Sequence, residues 1–143
     1  VLQLALYKGP PSDLLHTIGH TATKLWTWSR YSHAELVING VCWSSSSRDS
    51  GVRRKTIDLA SGRWDVCKLT DSQIVLNKAL KWFLDHEGDS YDYRNILRFV
   101  LPVVGHDKNK WVCYEACGAA LGIKNPHKLD ADKLLAEALK IHH

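Results

Sequence analysis

The sequence lacks most of the features that mark specialised classes. No stretch of its 143 residues approaches the ~18–20 consecutive apolar residues that cross a bilayer, so no membrane span is expected. Repeats, low-complexity linkers and compositional breaks are all missing, which predicts one domain over residues 1–143. Charge of one sign is scarce as well. The net charge of +4 suits an anionic substrate but falls short of a nucleic-acid binder's footprint, so no nucleic-acid partner is expected. No secretory leader is legible, and Val1 in place of methionine reads as a trimmed start. The terminal His142 and His143 read as a tag remnant and are given no chemistry.

What is there belongs to an ordinary globular domain. Hydrophobic residues make up 45% and charged residues 24%, and the length suffices to bury a core. The four cysteines, Cys42, Cys67, Cys113 and Cys117, are an even number that two disulfides would satisfy. Nothing loop-rich calls for such staples, so reduced thiols are expected. His16 and His20 are spaced i, i+4, as are Cys113 and Cys117, and together they would make a Cys₂His₂ zinc set. Neither pair sits in a knuckle or beside a general-base Glu, so no metal and no cofactor are expected.

The pattern along the chain reads as α+β. Residues 1–7 form an apolar strand ending at Gly9-Pro10-Pro11, and Ser12 and Asp13 cap a helix carrying Leu14, Leu15, Ile18, Ala22 and Leu25. Strands follow at 33–38 and 41–47, joined by Asn39-Gly40, the dipeptide of a type I′ hairpin turn. Further strands are predicted at 52–58, after the turn at Asp49-Ser50-Gly51, and at 64–69, with Trp64, Val66 and Lys68 on one face. Helical spacing then predicts a helix from Asp71 or Ser72 to about His86, with Leu76, Leu80, Phe83 and Leu84 on one side. A shorter helix falls within 92–101, another runs from Cys113 to Leu121 with Gly122 closing it, and the last follows Pro126 with a stripe at Ala131, Leu134, Leu135 and Ala138.

Two residues carry candidate chemistry. A thiol is a nucleophile only as thiolate, and Cys113 begins a predicted helix, where the unpaired N–H groups and dipole favour an anion. The preceding loop, His106 to Lys110, adds positive charge. The plain alternative is a small buried cysteine on an apolar helix face. A base must come from elsewhere: His33 opens a predicted strand, and Glu35 points to the same face two residues on. A strand-borne imidazole facing a helix-borne thiol is a Cys–His nucleophile pair.

Three blocks carry a resemblance. Ser32-His33-Ala34-Glu35-Leu36-Val37-Ile38 resembles the His-bearing strand of the circularly permuted NlpC-type papain-like hydrolases. Gly88-Asp89-Ser90-Tyr91-Asp92-Tyr93 resembles their G-x-x-Y-D element, and Trp111-Val112-Cys113-Tyr114-Glu115 with Ala119-Ala120-Leu121-Gly122 resembles their nucleophile helix. The blocks stand in the permuted order, His before Cys, and span residues 32 to 122. The resemblance implies a papain-like α+β fold with the nucleophile at a helix N-terminus, Cys113 attacking a carbonyl, and His33 taking the thiol proton. It implies a peptide, isopeptide or cell-wall peptide substrate; relatives resembling lecithin:retinol acyltransferase handle lipid acyl groups instead.

Two positions depart from that pattern. Tyr114 stands where the family has Ser, which alters the pocket wall. The strand after His33 offers Ser44, Ser45, Ser46 and Ser47 but no carboxylate, imidazole or amide to orient the ring. Ser45 is the candidate from that strand, and Glu35 is the substitute, although an i, i+2 neighbour is expected to reach the ring awkwardly. Trp43, Tyr91, Trp111 and Tyr114 are candidate substrate contacts, and Glu115 is read as structural. The basic run Arg53-Arg54-Lys55 reads as a solvated face, or as a docking surface for a protein partner if the domain has kept its fold and lost turnover. A monomer is expected, in the cytoplasm; a virus-encoded accessory protein fits the small size as well as a secreted wall enzyme does.

Overall fold

The computed structural model describes residues 1–8, 31–46, 49–91 and 110–141, without the side chains of Ser90, Tyr91, Lys110 and Trp111. The helix expected after Ser12, the one within 92–101, Tyr93, and both His16 and His20 lie outside the described residues.

Five strands form an antiparallel sheet: β1 (Leu2–Tyr7), β2 (His33–Ile38), β3 (Val41–Ser46), β4 (Gly51–Lys55) and β5 (Trp64–Thr70). Their spatial order is β4-β3-β2-β1-β5. Three helices, α1 (Gln73–His86), α2 (Cys113–Ala120) and α3 (Ala131–Lys140), are described. The class is α+β, a five-stranded antiparallel sheet packed against three helices. A two-residue parallel ladder, β6 (Ser90–Tyr91) with β7 (Lys110–Trp111), leads the chain towards α2.

Local chemistry accounts for the sheet. Asn39 and Gly40 take φ of 49° and 84°, as a type I′ turn requires, and set the β2–β3 register. Alternation sends Leu2, Leu4 and Leu6 of β1, with Ala34, Leu36 and Ile38 of β2, to the helix side. There they meet Leu76, Ala79 and Phe83 of α1, Ala116 and Cys117 of α2, and Ala131, Leu134 and Ala138 of α3. Each such Leu contributes roughly 1.5–3 kcal/mol on burial. Leu84, expected on the buried stripe of α1, is 52% exposed, because the stripe centres on 76, 79 and 83 and Leu84 lies past its edge.

The far face of the sheet has a smaller cover. β4 stops at Lys55 rather than continuing to Asp58, and the chain folds back so that Ile57, Leu59 and Trp64 pack on Ala5, Val37 and Cys42. Burying Ile57 and Leu59 there is what ends the strand. β4 is an outer strand of the sheet, but Val52 donates to the Asp89 carbonyl at 2.8 Å and accepts from the Gly88 N–H at 2.9 Å. At Val52 that edge is thereby occupied.

α2 is built to lie at the centre. Its residues are mostly small, and Gly118 has no room for more: an added Cβ would fall 2.2 Å from Leu129 Cδ1. Leu121 caps the helix and Gly122, at φ 76°, ends it as expected. Asp130 caps α3 by accepting the Lys133 N–H at 2.9 Å.

Candidate active site

α2 packs across β2 and β3 where those two strands part. Their described pairing runs from Ile38↔Val41 to Leu36↔Trp43 and no further. Beyond it, the Ala34 carbonyl accepts the Ser44 hydroxyl at 2.5 Å and the Cys117 thiol at 3.8 Å. An opening sheet lets a side chain from β2 meet the start of α2.

Cys113 is the first residue of α2, after Val112 with extended backbone (φ −93°, ψ 164°). Val112 has no side-chain oxygen with which to cap the helix. Its own N–H is held at 3.2 Å by Oε1 of Glu115, which is fully buried. Glu115 therefore braces the helix start, the structural use expected of it. The N–H of Cys113, in the first turn, has no carbonyl within the helix to bond and points the positive end of the dipole towards the thiol.

His33, at the start of β2, is a near neighbour of Cys113, close enough for the two groups to influence each other electrostatically. Its Nε2 lies 2.7 Å from Oε1 of Glu35, which leaves Nδ1 as the nitrogen available to the thiol. The ring also stands edge-on to Trp64, with centroids 6.3 Å apart. Glu35 thus reaches the imidazole without difficulty: two residues apart on one strand face, the two side chains converge above Ala34. Ser45 is also fully buried, but cross-strand from Val52 on the helix side, so the bond to Nε2 comes from Glu35.

Arg53 completes the string, and the sequence reading missed it. Its guanidinium grips Glu35 with two bonds, 2.7 Å to Oε2 and 2.5 Å to Oε1, while its Nε donates to Asp49 at 2.9 Å. Lys55 Nζ is 3.5 Å from the same Asp49 carboxylate. A usable signal existed in the two turns. Extending the β2–β3 register one step places Ser44 beside Glu35, and β3–β4 pairs Ser44 with Arg53. The small Ser44 leaves room for the long Arg53 to reach over it. Arg54 faces the other way, over the Trp43 ring at 5.5 Å. The basic run is thus divided between the two faces of the sheet.

These contacts set the charges. Burial disfavours the His33 proton, but the neighbouring Cys113 first, and then Glu35, outweigh it and raise the imidazole to about 9. Burial likewise opposes the Glu35 charge, and the hydrogen bonds from Arg53 and then His33 hold that carboxyl below its ordinary range. Burial pushes the Cys117 thiol well up, and the Cys42 thiol to about 11. All four cysteines are free. No group of three or more His, Cys, Asp and Glu that would hold a metal occurs among the described residues.

His33, Glu35 and Arg53 line a cleft of about 500 Å³ on the far face of the sheet, walled by Tyr7, Trp64 and Arg63 among others. Cys113 is not among its lining residues, so the ring touches the thiol on one side and the cleft on the other. The four expected substrate contacts divide. Trp43 is 3% exposed and stacked on Phe83, and Tyr114 is 2% exposed with its hydroxyl donating to the Tyr31 carbonyl at 3.4 Å. Both are buried in the core, and neither is among the residues lining this cleft. The side chains of Tyr91 and Trp111 lie outside those described.

No family model matches this chain, and no curated protein is significantly similar to it in sequence. No helix among the described residues is long and apolar enough to cross a membrane.

Proposed function

We propose that the protein is a cysteine hydrolase of the papain-like kind, cleaving an amide or related acyl bond through a thioester on Cys113. The observation that carries this reading is the series Cys113–His33–Glu35, with the thiol at a helix start beside the imidazole and Glu35 holding the ring at 2.7 Å. The thiolate attacks the carbonyl carbon, a C–S bond forms, and the carbonyl π pair moves to oxygen. The Cys113 backbone N–H is placed to stabilise that oxyanion. Collapse breaks the bond to the leaving group, which takes the His33 proton. His33 then draws a proton from water, hydroxide attacks the thioester, and the thiolate departs to give the acid. Glu35 orients the ring and balances the imidazolium throughout.

The substrate is read as a peptide or isopeptide rather than a nucleic acid, because the charges around the ring are mutually paired rather than a basic stripe. The test is iodoacetamide labelling of the four cysteines against pH, followed by peptide mass spectrometry. Fast alkylation confined to Cys113, and lost in His33→Ala, is the expected result. Alkylation of Cys113 no faster than that of Cys67 would leave the fold without the activity.

A further inference from the structure

Resting on the Cys113–His33 reading above, we propose that Arg53 is a positioning residue of this site. By gripping both oxygens of Glu35 it keeps that carboxylate charged and aimed at the His33 ring, and so governs how far into acid the Cys113–His33 pair persists.

The geometry separates Arg53 from its neighbour of the same type. The Arg53 side chain is 14% exposed and bonded to Glu35 and Asp49, whereas that of Arg54 is 60% exposed. Glu35 Oε1 is shared between His33 Nε2 and Arg53 Nη2, so the guanidinium fixes the oxygen that orients the ring. Among the described residues, no cation other than His33 and Arg53 is bonded to Glu35. The nearby thiols of Cys42 on β3 and Cys117 on α2 are kept protonated by burial and bring no positive charge to Glu35. On β1, Ala5 lies opposite Glu35 and Tyr7 opposite His33. Lys55 is engaged with Asp49, while Asp58 and Arg63 stand across the cleft.

A permanent cation matters at one moment in particular. When His33 gives its proton to a leaving group, Glu35 loses its cationic neighbour while fully buried. A guanidinium does not deprotonate, so Arg53 keeps Glu35 from taking the proton itself. Asp49 in turn fixes the guanidinium from the other side.

The experiment is the pH profile of Cys113 alkylation by iodoacetamide in the full chain. Arg53→Met is expected to move the acid limb upward by about one pH unit or more, since the carboxylate loses its hydrogen-bonded cation. Arg53→Lys should recover part of that shift, keeping the charge without the two-pronged grip. Asp49→Asn should shift the limb less, in the same direction. A folded Arg53→Met whose profile superimposes on that of the unaltered chain overturns the proposal. Should Arg53→Met fail to fold, unshifted profiles in both Arg53→Lys and Asp49→Asn overturn it equally. If the unaltered chain shows no fast alkylation that depends on His33, the underlying pair fails, and that failure is visible before any Arg53 variant is made.

Discussion

The first and second turns of α2 present two thiols four residues apart, and their surroundings differ in kind. Cys113 begins the helix, beside an imidazole and the positive end of the dipole. Cys117 is fully buried and directs its thiol to the Ala34 carbonyl at 3.8 Å. Burial keeps it protonated, and the nearby charges of Cys113 and Glu35 add to that. A single helical turn is enough to exchange a setting beside an imidazole for a purely packed one. The polar partners differ because β2 offers its His33 side chain at one level and only a backbone carbonyl at the next.

The sharpest way to break the contrast is to remove each thiol. Cys113→Ala is expected to abolish turnover and the fast alkylation, while Cys117→Ala leaves the alkylation rate of Cys113 within about twofold, since the lost group is a packing contact. Equal loss in both variants would undo the comparison. Next in size is His33→Ala. With the imidazole gone nothing on β2 takes the thiol proton, so Cys113 alkylation near neutral pH should fall by at least about tenfold, measured by the same labelling.

A smaller effect sharpens the electrostatics. The largest raising influence on His33 is the Cys113 thiolate, so Cys113→Ala should lower the imidazole pKa from about 9, read by NMR of the ring. The raised value also has a sign for stability. His33 binds its proton more tightly folded than unfolded, so its contribution is complete below about 6.5 and is lost as pH rises through about 9. Turnover should decline over the same rise, because the leaving group loses its proton donor. Glu35 acts oppositely: its folded pKa is depressed, so its contribution holds above about 4.5 and is lost as pH falls through the folded value. Melting temperature against pH should therefore fall at both ends, the alkaline fall vanishing in His33→Ala and the acid fall flattening in Glu35→Gln.

The smallest expected change leaves the chemistry alone and perturbs the seat of the helix. Gly118→Ala forces a Cβ to within 2.2 Å of Leu129 Cδ1, and Leu129 is buried. A loss of about 1–3 kcal/mol is expected from such overpacking, measured by urea unfolding. No loss would mean that Leu129 can turn away freely and that α2 is less tightly seated than its packing suggests.

Much of the scaffold was legible in the chain. The strands at 33–38 and 64–69 (one residue short of the observed end at Thr70), the Asn39-Gly40 turn, the helix to His86 and the start of α2 at Cys113 follow from period and turn chemistry, which act within a few residues. The end of β4 was not legible, because Ile57 and Leu59 leave the strand only to cover a face that three other strands create. Nor was the burial of Trp43, whose ring stacks on Phe83 of a helix forty residues away.

The sequence by itself determined which groups have reactive chemistry and where each sits on its own element: a thiol at a helix start, and an imidazole and a carboxylate on one strand face. Those are consequences of local geometry and of residue type. Only the tertiary structure decided which of them meet. The parting of β2 and β3 brings His33 to Cys113, and the register across three strands carries Arg53 over Ser44 to Glu35. The physical reason is reach. Hydrogen bonds act over about 3 Å, and residues twenty or eighty positions apart come within that distance only when a packed sheet has fixed its register.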